Sequence, residues 1–195
     1  MSFNVITIFF LLPSLITLVV LRIRRQPWVK TCSLLGWRLG APIHYLWALG
    51  ILLITALPVL VVAFFLFPDL YRHPEKGSTL YIYARVGLSF TSILLAFLNE
   101  FFFTALGEEV FFRGLVGGWL MRRFGFPLGN ALQTLIFLLP HLPVLLIGLW
   151  PLLIGPLLGG WLLGWLRFKS DSILPGMFVH ALGNTLSDTL AMVLG

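Results

Sequence analysis

Three stretches of this sequence, Met1–Leu21, Leu39–Pro68 and Phe124–Leu166, contain no Asp, Glu, Lys or Arg. A helix that crosses the hydrocarbon core of a bilayer needs ~20 apolar residues, so the first two are each long enough for one crossing and the third for two. Only 10% of the 195 residues are charged and 59% are hydrophobic, against roughly 25% charged in a soluble domain. A soluble globule of this size could not keep so much apolar surface from water. An ordinary soluble enzyme, a disordered chain and a nucleic-acid binder are therefore set aside, and the net charge of +6 belongs to short connections between spans. The single cysteine, Cys32, leaves no intramolecular disulfide and no Cys-based zinc site.

The pattern predicts an all-α, polytopic transmembrane bundle of about six segments around a polar cavity, one integral membrane domain over residues 1–195. Met1–Leu21 reads as an anchor helix rather than a removed signal, since no positive n-region precedes it. A second span starts near His44, and Val86–Met121 holds a third. Trp150–Pro151 is the expected turn between the two spans in Phe124–Leu166, because a residue before proline disfavours helix. Ser172–Gly195 makes the sixth. As one α-helix, the third segment would be ~54 Å long against a ~30 Å core, so it must tilt, protrude or break, with Gly107 the candidate break. Nine basic residues (Arg22, Arg24, Arg25, Lys30, Arg38, Arg122, Arg123, Arg167 and Lys169) fall in connections on one side, and Arg72, Lys76 and Arg85 on the other. The positive-inside rule puts the nine in the cytoplasm and both termini outside.

Ionisable side chains within a span cost on the order of 2.5–3.5 kcal/mol each on insertion scales, so those that occur need a reason. Glu108, Glu109, Arg113, His141 and His180 are such residues. Glu109 and Arg113 are i,i+4 and can neutralise one another, whereas Glu108 has no cation at that spacing in its own helix. His180 and Asn184 repeat the spacing, as do Phe137 and His141. Counted from the inferred cytoplasmic ends, Glu108, His141 and His180 lie at depths of ~20, ~21 and ~12 Å, compatible with one layer. A carboxylate beside an imidazole can deprotonate a water. An imidazole with a carboxamide can stabilise an oxyanion. Glu108, His141 and His180 could alternatively hold one divalent metal such as zinc. Both routes lead to hydrolysis of an acyl bond by an activated water.

The set Glu108-Glu109-x-x-x-Arg113, Phe137-x-x-x-His141 and His180-x-x-x-Asn184 resembles, in order and spacing, the CPBP family of CAAX proteases and bacteriocin-processing enzymes, also called Abi or type II CAAX prenyl endopeptidase-like proteins. The motif-bearing core is about residues 86–195. The resemblance implies an intramembrane endopeptidase with a water-filled, cytoplasm-facing cavity, cutting a peptide bond at or near that membrane face. It implies that Glu108 and His141 activate the water, that His180 and Asn184 serve the oxyanion, and that Glu109 and Arg113 support the site. It leaves open whether the enzyme is of the glutamate type or metal-dependent, and whether its peptide or protein substrate is lipidated. The short chain is more similar to a compact prokaryotic member, located in the cell membrane. The rival expectation is a non-catalytic membrane protein (a transporter, a metal carrier, or a bacteriocin-immunity or partner-binding protein) using the same polar cavity.

Plainer roles are expected elsewhere. Glu100, two turns before Glu108, is read either as an extension of the cavity or as a buried hydrogen-bonded acid. Asp188 is expected to face the outer surface, and His44 and His73 to face solvent. Gly155, Gly159, Gly160 and Gly164 have small-x-x-x-small spacing and are expected to form a packing seam.

Overall fold

The computed structural model describes residues 5–195, with side chains from residue 7; Met1–Asn4, the start of the first expected segment, lie outside the described residues. The described residues form helices and connections with no strand. In chain order these are α1 (Val5–Ile23), α2 (Trp28–Leu34), α3 (Pro42–Val61, extended by a π-helical turn Val62–Leu66), α4 (Asp69–Arg72) and α5 (Thr79–Val86). Then come α6 (Phe90–Phe124), α7 (Phe126–Leu145), α8 (Trp150–Ser170) and α9 (Leu174–Leu194).

Four of them, α3 with its π turn, α6, α7 and α8, are long and apolar enough to cross a membrane. Their outer faces carry bare apolar side chains, Leu53 at 75% and Phe65 at 80% exposure among them, a surface suited to lipid rather than water. The described part of α1 is a shorter apolar helix, Thr7–Ile23. With 21 residues α9 has the length of a span, and it carries His180, Asn184, Thr185, Ser187 and Asp188. Helix α9 packs against α3, α5 and α6, which makes it a central helix rather than a lipid-facing one.

Local sequence sets the boundaries. Gly87, at φ +75°, ends α5. Ser89 and Ser92 then cap α6 reciprocally: Ser92 N–H donates to Ser89 Oγ (3.0 Å) and Ser89 N–H to Ser92 Oγ (2.8 Å). The third segment therefore begins at Phe90, later than Val86, and of the expected alternatives, a tilt, a protrusion or a break near Gly107, the break does not occur. Gly107 is instead a point of close approach, since a Cβ there would stand 3.1 Å from Thr7 Cγ2 of α1. Helix α6 widens into π-helical turns at Glu100–Ala105 and Glu109–Gly117. Such turns recur at functional sites, and here both start on an acidic residue. The chain reverses at Leu146–Leu149, with Gly148 at φ +73°, so Trp150 and Pro151 begin α8 rather than forming the turn.

Three of the basic connections meet at one end of the bundle. Asp171 accepts from Arg38 Nη1 (2.7 Å) and Arg167 Nη1 (2.9 Å), and Arg122 Nη1 reaches Leu34 O (3.4 Å). The end of α9 lies at the other pole, where a Cβ on Gly195 would touch Ala84 and Tyr71 O. Helices α6 and α7 pack most tightly at Gly129, where a Cβ would come within 2.6 Å of the Met121 backbone. Backbone cannot swing aside as a side chain can, so Gly129→Ala is expected to lower stability by about 1–3 kcal/mol, read from denaturation in detergent.

Candidate active site

The second wide turn of α6 carries a buried ion pair. Arg113 Nη1 lies 3.0 Å from Glu109 Oε1, with side-chain exposures of 0% and 1%. Arg113 also donates to Gly159 O of α8 (3.3 Å) and lies over the Phe137 ring of α7, its Cζ 4.0 Å from the centroid. The pair is not sealed off from α9. Glu109 Oε1 is also 2.9 Å from His180 Nδ1, so one carboxylate oxygen joins the guanidinium to the imidazole. The carboxylate is an acceptor, so Nδ1 carries the proton in that bond and Nε2 is left to face the other way. Gly176, one turn before His180, leaves the room this needs, since a Cβ there would be 3.1 Å from Glu109 Oε2.

Glu108, which has no cation at i,i+4 in its own helix, faces an imidazole across the bundle: its Oε2 stands 3.7 Å from His180 Nε2, an ion pair only when His180 is protonated. That exceeds a hydrogen bond and is close enough for both atoms to hold one bridging atom. On α7, His141 Nδ1 donates to Phe137 O (3.0 Å), so its Nε2 is the free, basic nitrogen. Residues Leu139–Leu145 form a 3-10 turn with Pro140 and Pro143, which gives the ring its departure from the regular helix.

Asn184 does not stand free beside His180. Its Nδ2 donates to Glu100 Oε2 (2.8 Å), and Asn99 Nδ2 donates to Glu100 Oε1 (3.3 Å). Glu100 is 6% exposed, so it is a buried, hydrogen-bonded acid at the first wide turn of α6, one of the two roles expected for it. The bond to Glu100 turns the nitrogen end of the Asn184 amide toward α6. Asp188 is 4% exposed, which corrects the outward placement expected of it.

His141, His180 and Asn184 line one cavity of about 240 Å³, together with Arg113 and Phe137. The glycine seam divides there. A Cβ on Gly160 or Gly164 would press on Thr134 or Asn130 of α7, which is packing as expected. Gly155 and Gly159 instead line the cavity, and a Cβ on either would meet nothing within 4 Å. Among the lining residues, burial raises the Tyr71 phenol above its usual range, and its hydroxyl shares a 3.0 Å hydrogen bond with Ser187. Among the described residues no group of three His, Cys, Asp or Glu side chains is placed to hold a metal ion. Glu108, His141 and His180, the ligand set considered from sequence, do not form such a group.

His141, His180 and Asn184 bring ring nitrogens and an amide to the cavity, while Glu108, which is not among its lining residues, stands beside His180. A family model described as "Type II CAAX prenyl endopeptidase Rce1-like" matches residues 90–186, about half of the chain and all three motifs. No curated protein and no solved structure matches the chain.

Proposed function

Since the chain belongs to the Rce1-like family of type II CAAX prenyl endopeptidases and is an integral membrane protein, we propose that it hydrolyses a peptide bond inside the membrane with a water activated by Glu108 and His141. The observation that carries this reading is the Glu109 bridge. It joins Glu109 and Arg113 of the first motif to His180 of the third beside the cavity that His141 lines, which supports reading the three motifs as one site.

The residues divide the work by what each can still bind. His141 has committed Nδ1 to Phe137 O, so Nε2 is its base. Glu108 is the second acceptor for the water's proton, and with both groups present the water is oriented as well as deprotonated. As the tetrahedral intermediate forms, its oxyanion takes hydrogen bonds from His180 Nε2–H and the Asn184 amide. Donation from Nε2 requires a protonated His180, which brings the set Glu108, Glu109, Arg113 and His180 to zero net charge, the state a low-dielectric interior favours. Glu109 and Arg113 do not touch substrate in this reading; they are positioning residues that hold His180 in one ring orientation.

The test is cleavage of a peptide library by the full chain purified in detergent. Wild type is expected to yield defined products, and His141→Ala and His180→Ala none, with all three proteins monodisperse. Full cleavage by either variant contradicts the assigned role, and metal-dependent transport without cleavage supports a carrier instead. Glu100→Ala, which frees the Asn184 amide, is expected to lower kcat about tenfold with little change in KM. Combined with Asn184→Ala it should add nothing to the loss from Asn184→Ala alone, because both act on one amide.

A further inference from the structure

Helix α1 touches α6 at one level and gives way to α2 at the next. A Cβ on Gly107 would stand 3.1 Å from Thr7 Cγ2 of α1, whereas a Cβ on Gly114 or Gly118 would meet Leu35 O (2.7 Å) or Leu34 O (3.3 Å) at the end of α2. Beside Val110, between these levels, a second cavity of about 390 Å³ remains, and it shares no lining residue with the catalytic one. Leu11, Ser14, Leu15 and Leu18 follow the i, i+3, i+4, i+7 pattern, so one face of α1 forms a wall that runs ~10.5 Å along the helix. Ser14 and Val110 are buried and make the floor, while Leu15, Trp28 and Trp37 are exposed at the cavity's side. The space is therefore long, almost wholly apolar and open to what surrounds the bundle.

Charge stands at one end of it. Residues 1–68 contain five basic side chains and no Asp or Glu. Arg38 is paired with Asp171; Arg22, Arg24, Arg25 and Lys30 are exposed, and among the described residues none of the four pairs with a carboxylate. Arg22 lies one turn beyond Leu18. Its Nη1 donates to Gln26 O (2.7 Å) and its Cζ stands 5.7 Å from the centroid of the Trp28 ring. A cation is thus held over a tryptophan that itself lines the cavity.

We propose that the cavity between α1, α2 and α6 binds one anionic phospholipid, with an acyl chain laid along the Leu11–Leu18 face and the phosphate at Arg22 among Arg24, Arg25 and Lys30. Each part of the ligand answers one observation. An acyl chain fills an apolar space with the dispersion contacts its walls otherwise lack. A peptide there would bring backbone N–H and C=O groups that these walls leave unpaired. A zwitterionic lipid would fill the same space without compensating four clustered cations, which an anionic headgroup does. The tryptophans at the side sit where such rings sit in membrane proteins, between hydrocarbon and headgroups. The site stands independently of the peptidase reading.

The experiment is native mass spectrometry of the full chain in detergent with phosphatidylglycerol or phosphatidylcholine of identical acyl chains. Expected is one retained phosphatidylglycerol, favoured about tenfold over phosphatidylcholine, and loss of that preference in Arg22→Gln combined with Arg25→Gln. Ser14→Phe fills the floor and gives up no hydrogen bond, since Ser14 Oγ has no partner; it is expected to lower retention of both lipids about tenfold. A second readout needs no substitution. Cys32 is the single thiol of the chain, partly buried, and it lines the cavity. Its alkylation by a maleimide is expected to slow about tenfold at saturating phosphatidylglycerol. Equal retention of the two lipids, an unchanged preference in the double variant, or unprotected Cys32 overturns the proposal. Displacement of the lipid by excess inorganic phosphate also overturns it, as the sign of a site for a free anion. If Ser14→Phe does not stay monodisperse, the Cys32 rate in the unsubstituted chain decides.

Discussion

Glu108→Gln is expected to cut the rate of peptide cleavage roughly 100- to 10,000-fold, the range over which general acid–base groups contribute, while the protein stays folded. Gln keeps the shape of the side chain and removes both the charge and the basic lone pairs. Little else depends on Glu108: its Oε2 has no hydrogen-bond partner among the described residues, and its contact with His180 is 3.7 Å. The variant leaves Glu109, Arg113 and protonated His180 at a net +1, which loss of the His180 proton relieves, so stability should fall far less than in a broken Glu109–Arg113 pair and the main loss should lie in kcat. Single-turnover kinetics on the purified variant check this. A variant with wild-type kcat would remove Glu108 from the chemistry.

Arg113→Met is expected to have the opposite profile, striking the fold first. Arg113 and Glu109 are both fully buried, and removing one partner of such a pair leaves an uncompensated charge that costs about 3–5 kcal/mol. The Phe137 ring and Gly159 O would also lose the guanidinium. Replacing both charges, as in Glu109→Leu with Arg113→Met, is expected to restore much of the stability, because no lone charge remains. It should not restore cleavage, because His180 Nδ1 would have no carboxylate to hold it. Denaturation midpoints and kcat on the two variants separate these effects. Recovery of both in the double variant would mean that Glu109 serves packing alone.

Much of this architecture was legible in the residues because lipid is a severe solvent. Uncharged runs locate the spans, and rare charges within them mark the site. Periodicity within one helix was enough to pair Glu109 with Arg113. What it could not show was partnership across helices, since spacing along one chain segment says nothing about the rotation of its neighbour. Spacing therefore links His180 to Asn184 and not to Glu109, and leaves Asn184 unlinked to Glu100. The π-helical turns of α6 compound this. Glu100 and Glu109 are nine positions apart, yet their partners Asn184 and His180 are four apart on α9. A regular helix would separate those levels by ~13.5 Å on α6 and ~6 Å on α9. Wide turns and long acidic side chains take up the difference, and a 3.6-residue period does not foresee them. The glycine stripe of α8 shows the same limit: Gly160 and Gly164 meet α7, while Gly155 and Gly159 meet open space. Spacing alone cannot distinguish a packing seam from a cavity wall.

The central claim is that this membrane protein cleaves peptides with an activated water at the Glu108–His141–His180 site. Purified wild type and Glu108→Gln, reconstituted in parallel into lipid vesicles with a peptide that detergent-solubilised wild type cleaves, test it most directly by mass spectrometry. The account predicts two products from wild type whose masses sum to the substrate plus one water, and at least a hundredfold less from the variant. No products from the wild type, or equal yields from the two proteins, would contradict it.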